Sequence, residues 1–183
     1  MKKFFSQPAV ALFLAVIVVI ASVLTNTRVK FGQRCDRISD QFYSATSGTS
    51  IADSLRALCS ASERLAMLGK ANEVADADQT LNSVDTLRNL LHSGSYDADS
   101  IFSVYNQLLK ETFSLESDLA KMTLSESDTE TLKAAQHDAA EAKNAIDLSS
   151  YNDSVRSFLK EYSYFPTPQL ASISGVEMPE FFS

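Results

Sequence analysis

Tryptophan is absent from the 183 residues, and glycine (five), proline (four), cysteine (two) and histidine (two) are scarce. Each scarcity removes a class of structure or chemistry. From residue 33 to 164 there is no proline, and Gly48, Gly69 and Gly94 are the only glycines. Those residues interrupt helices and punctuate turns, so their rarity favours an all-α domain with few breaks. No glycine-rich phosphate loop occurs, and no serine sits in a G-x-S-x-G elbow.

Catalysis needs convergent titratable groups. His92 falls at the end of a predicted helix, where an imidazolium suits the helix dipole. His137 stands among Gln136, Asp138 and Glu141 on a predicted solvent face. Neither Cys35 nor Cys59 has a second Cys or His at ligand spacing, which argues against zinc. The two thiols either stay reduced and half-buried, or pair if two helices bring their Cα atoms within roughly 4.4–6.8 Å. Asp97 with Asp99, and Glu126 with Asp128 and Glu130, cluster where helices should start, and helix starts favour acids whatever the function. Asn152-Asp153-Ser154 fits the glycosylation triplet but lies in a predicted helix interior. No catalytic, cofactor-binding or metal-binding residue is therefore expected, and no small-molecule substrate.

Net charge is −7, and residues 28–183 are more acidic still: 14 basic residues against 23 acidic ones leave −9. Nucleic acid needs a basic footprint, so it is not an expected partner. No acidic residue precedes Asp36, which removes the pilin-type junction of an apolar helix with an early Glu.

What the chain does have is one long apolar run. Phe4 to Thr27 carries no charge. About 20 apolar residues cross the roughly 30 Å bilayer core as a helix. A transmembrane anchor at 8–27, behind a short flank at 1–7, is the leading expectation, with the lipid bilayer as its partner. A cleaved secretory signal is the competing reading, since Lys2 and Lys3 form a positive n-region. Against it, the run exceeds a usual signal core, and Ala21-Ser22-Val23 is a poor cleavage site. A buried core helix is the third reading. Arg28, Lys30, Arg34 and Arg37 follow the run and suit a headgroup layer. Basic flanks on the two sides nearly balance, so orientation is not set.

Beyond the anchor, residues 28–165 read as one helical bundle domain. The anchor helix can continue to Tyr43, up to a cluster of turn formers around Gly48. Ser50 followed by Asp53 can cap the next helix. Its apolar positions are Leu55, Leu58, Leu65 and Leu68, and Leu81, Val84, Leu87 and Leu91 follow. A third helix, capped by Ser95 or Asp97, carries Ile101, Tyr105, Leu108, Thr112, Leu115, Leu119 and Met122 at alternating steps of four and three, a heptad seam. Phe102, Leu109 and Phe113 should widen one edge of it. A fourth helix, capped by Ser127 with Glu130, is expected to run to Phe165. Its stripe shifts between Ile146 and Leu148, so it must twist or change partner there. Pro166 ends it. The tail at 166–183 is apolar, and should pack back on the bundle or meet the membrane interface. Asn152 stands beside the last seam, where it could cap or orient that tail.

The segment Tyr151–Phe182 resembles the end of the LemA family, small membrane-anchored bacterial proteins. The matching positions are Tyr151, Asn152, Val155, Phe158, Phe165, Pro166, Ala171, Gly175, Phe181 and Phe182, in one register without a gap, with Glu141 ten residues ahead. The chain departs from the pattern at Leu159, at Val176 and in the Gly48 cluster, as a divergent member would. The resemblance implies an N-terminal transmembrane helix followed by an elongated antiparallel bundle of three to four long helices, and no enzymatic activity. The expected role is a membrane-tethered interaction scaffold with an unknown protein partner at the bacterial envelope. The alternative is an envelope sensor or adaptor for a membrane protease or signalling partner, using the loops around 45–50 and 93–99.

Overall fold

The computed structural model describes residues 8–44, 49–93, 97–164, 172 and 178–183. The expected loop cores at 45–48 and 94–96, and most of the tail, lie outside these residues. Among the described residues the protein is all-α, with six helices and no strand. They are α1 (Pro8–Tyr43), α2 (Ile51–Ala71), α3 (Ala77–His92), α4 (Ala98–Leu119), α5 (Glu126–Asp147) and α6 (Tyr151–Tyr162). The chain divides into two compact units, residues 1–38 with 156–179, and residues 39–155 with 180–183.

In the first unit, α1 is long and apolar enough to cross a membrane, and none of its apolar window is buried. Leu12 is 70% exposed, and Phe13, Val18, Val19 and Ile20 are similarly open. A core helix would bury these side chains, so that reading fails. Further along α1, Phe31 packs edge-on against Phe158 and Tyr162 of α6, with ring centroids 6.1 and 6.0 Å apart. Arg34 pairs with Glu161 at 2.7 Å and lies over the Phe158 ring.

The second unit is the bundle, with α2 at its centre, packed on α3, α4 and α5. Cross-helix pairs give the directions. Lys70 meets Asp78 while Glu63 meets Arg88, so α2 and α3 are antiparallel. Ser62 meets Thr112 and Gly69 approaches Leu115, so α4 runs parallel to α2. Arg64 pairs with Asp138 while Leu65 and Leu68 share a core cluster with Leu132 and Ala135, so α5 returns antiparallel.

Local chemistry accounts for the helix starts. Ser50 Oγ accepts from the Asp53 amide at 3.0 Å and donates to the Asp53 carboxylate at 2.7 Å, the capping arrangement the Ser50/Asp53 pattern predicts. Asp97 caps α4 by accepting from the Ser100 amide. For α5 the cap is Ser125, bonded to the Asp128 amide, rather than Ser127. The sequence pattern allows either serine, and the earlier one lets α5 start two residues sooner.

The heptad seam of α4 is buried from Ile101 through Leu119. Met122 lies past the helix end and is 41% exposed, so the seam stops one position short of the pattern. Phe102 and Leu109 are half-buried, but Phe113 is exposed and does not widen the edge. The long fourth helix divides in two. Leu148 closes α5 and is 84% exposed, and Ser149 Oγ accepts from the Tyr151 amide at 3.2 Å as α6 begins. The stripe shift after Ile146 is this break. The Ser149 side chain satisfies the backbone locally there, which lets one helix end and another start.

Candidate functional site

The most elaborate constellation in the bundle gathers where Tyr151 and Asn152 open α6. Tyr151, Asn152 and Phe182 meet the end of α1 and the start of α4. Asn152 holds the backbone of Phe182 from both sides: its Nδ2 donates to the Phe182 carbonyl, and its Oδ1 accepts from the Phe182 amide, each at 2.9 Å. The Tyr151 hydroxyl donates to the Glu180 carbonyl at 2.7 Å. These bonds hold the main chain of Glu180 and Phe182 rather than their side chains. The Phe182 ring is buried among Phe42, Phe102 and Tyr105, with centroids 5.2–5.6 Å apart. Edge-to-face contacts dominate, the geometry aromatic quadrupoles favour.

Beside the Phe182 ring lies a cavity of about 320 Å³, lined by Ile51, Tyr105, Ile146, Asp147, Asn152 and Asp153 among others. Burial pushes the Tyr105 phenol up to about 12, with a smaller push from the Asp147 carboxylate. That phenol stays protonated throughout the physiological range. The cavity's polar lining includes the Asp147 and Asp153 carboxylates, the Ser149 hydroxyl and the Asn152 amide.

A second hollow, about 350 Å³, opens between α2 and α5, with Arg64, Asp138 and Glu141 on its wall. Here the ligand atoms of His137, Asp138 and Glu141 fall within 4.8 Å of one another. The sequence places His137 on the solvent face, and its side chain is exposed. Asp138 already neutralises Arg64, and that guanidinium would repel a cation. The other singled-out histidine, His92, closes α3 with Nδ1 2.8 Å from the Arg88 carbonyl.

Both thiols are free and buried, Cys59 completely, and not half-buried as expected. Burial raises Cys59 to about 11, against a smaller lowering by Arg88, and burial raises Cys35 as well. Neither is poised as a nucleophile. Near Cys59, Arg88 bonds Glu63 at 2.5 Å and holds its carboxyl below the usual range. Asp97 is lowered too, first by the Ser100 amide it caps.

One polar cluster has no counterpart in the sequence reading. Glu111, 8% exposed on α4, takes both the Gln79 and Gln107 amides on Oε1, while Oε2 makes no hydrogen bond. An acidic residue one step ahead of a seam position, with glutamine four residues before it, was the available signal.

No protein-family model, curated protein or solved structure matches this chain.

Proposed function

We propose that the chain is a membrane-anchored, non-catalytic interaction scaffold of the LemA type at the bacterial cell envelope. The observation that carries it is the character of α1. From Leu12 to Val23 its large aliphatic side chains are open on every face, and the same unbroken helix continues to the buried Phe42. A bilayer is the solvent that such a surface requires. The Tyr151–Phe182 pattern supplies the family reading. The buried, protonated thiols and the exposed, solvated histidines support a role without chemistry.

Alkaline carbonate extraction of membranes tests the anchor: the full chain should stay in the pellet, and its release to the supernatant would sink the reading. The buried thiols would mask the side of the membrane in a labelling experiment on the natural chain. A cysteine placed at exposed Ser117 in a chain with Cys35→Ala and Cys59→Ala reports it, by reaction with an impermeant maleimide on intact or lysed cells.

A further inference from the structure

We infer that the end of α6 joins the foot of α1 in a collar seated in the lipid headgroup layer, giving the protein a second membrane contact besides its span. This rests on the reading of 8–27 as a membrane anchor. Phe31 lies four residues past Thr27, where the uncharged run ends, a rise of about 6 Å. The headgroup layer occupies a similar depth, since the bilayer grows from about 30 Å of hydrocarbon to about 40–45 Å in all.

The first unit brings α6 down to that level. Phe158 lies against both Phe31 and Arg34. Tyr162, one turn further along α6, meets Phe31, the residue nearer the apolar run. So α6 descends antiparallel to α1 and ends beside its foot. The next residues stay there: the Ser163 amide donates to the Leu159 carbonyl at 3.0 Å, and the Tyr164 amide to the Glu161 carbonyl at 3.4 Å. This leaves Tyr164 63% exposed, an amphipathic ring at the depth where tyrosine is enriched. Arg28 and Lys30 on α1 and Lys160 on α6 are exposed and make no ion pair among the described residues. Two helices thus present three unneutralised cations and an open tyrosine at one height, the composition that suits lipid phosphates. Water alone gives no reason for that coincidence at the edge of the apolar run.

The absence of tryptophan makes the test direct. Single Trp residues are introduced into the full chain at Leu14, Tyr164 and Arg37, and each variant is reconstituted in phosphatidylethanolamine–phosphatidylglycerol nanodiscs. Arg37 is exposed and lies six residues beyond Phe31 on the same helix, about 9 Å further from the span. Leu14→Trp should be quenched by lipids brominated in the acyl chain. Tyr164→Trp should be quenched several-fold more than Arg37→Trp by a headgroup-attached spin label, and be shielded from aqueous iodide. If Leu14→Trp responds to bromine but Tyr164→Trp behaves like Arg37→Trp, the collar is overturned and the anchor stands. If Leu14→Trp itself ignores the brominated lipid, the anchor reading fails and takes the collar with it.

Discussion

Ser62 Oγ lies 2.8 Å from Thr112 Oγ1, with both hydroxyls buried between α2 and α4. Thr112 gives its single proton to the Leu108 carbonyl at 2.7 Å, so Ser62 must be the donor of the shared bond. The direction decides what each substitution does. Ser62→Ala removes a donor and leaves Thr112 bonded, at a cost of about 1 kcal/mol. Thr112→Val removes the acceptor and leaves a buried Ser62 hydroxyl to find another, at about 1–2 kcal/mol. The double variant should lose less than the sum, because no hydroxyl is then left unpaired. Urea unfolding of the detergent-solubilised chain, followed by circular dichroism, measures all three. Strict additivity would mean the pair does not interact.

Cys59 gives a prediction in alkaline solution. Its thiol is raised from 9.0 to about 11, chiefly by burial. The folded state therefore prefers the neutral thiol, and the resulting stability is present below pH 9.0 and lost as pH rises towards about 11. A Cys59→Ala chain should lose less stability over that window, although it is less stable at neutral pH through its lost packing. Maleimide should react with native Cys59 only slowly at neutral pH and rapidly in urea, as mass spectrometry would show. Fast native labelling would contradict the burial.

The grip of Asn152 on Phe182 predicts a local effect. Asn152→Ala breaks two bonds to the Phe182 backbone and should cost about 1–3 kcal/mol. Asn152→Asp should be the worse change, since a carboxylate cannot donate to the Phe182 carbonyl and faces it with like polarity. Hydrogen–deuterium exchange is the sensitive readout: the Phe182 amide, held by Asn152 Oδ1, should exchange faster in both variants than in the natural chain. Equal rates would show that aromatic packing alone retains Phe182.

How much of this the sequence could disclose depends on the distance between partners. The α4 seam was legible because Ile101, Tyr105, Leu108, Thr112, Leu115 and Leu119 repeat within one helix, and that periodicity is local. The break after Asp147 showed only as a shift of stripe, since Ser149 and Ser150 are tolerated in a helix and only packing decides between continuing and stopping. Asn152 stood out as the polar residue beside a seam, but Phe182, thirty positions on, did not stand out as its partner. Thr112 was readable as a heptad position, whereas nothing near Ser62 marked it as the donor. Glu111 was missed because Gln79, one of the two amides that cover it, comes from another helix.

Gly69 is the last such case, and it tests the close packing directly. A Cβ built there would sit 2.7 Å from Leu115 Cδ1 and 3.3 Å from the Ala77 Cβ. The first contact is with the far end of a side chain that could turn away, but Leu115 is itself fully buried in the cluster with Leu65, Leu119 and Leu132. The second contact is with an atom fixed to the α3 backbone. Replacing a helical glycine by alanine gains about 1 kcal/mol of propensity. Overpacking a filled core costs about 1–3 kcal/mol. With Leu115 confined, the cost should win, so Gly69→Ala should lower stability by about 1 kcal/mol. Shortening the opposing side chain should reverse the sign: Gly69→Ala should stabilise a Leu115→Val chain, because the added methyl fills the space the leucine vacates. Denaturation midpoints of the four chains decide it. If Gly69→Ala alone gains the full propensity term, Leu115 yields freely and the α2–α4 contact is looser than these distances imply.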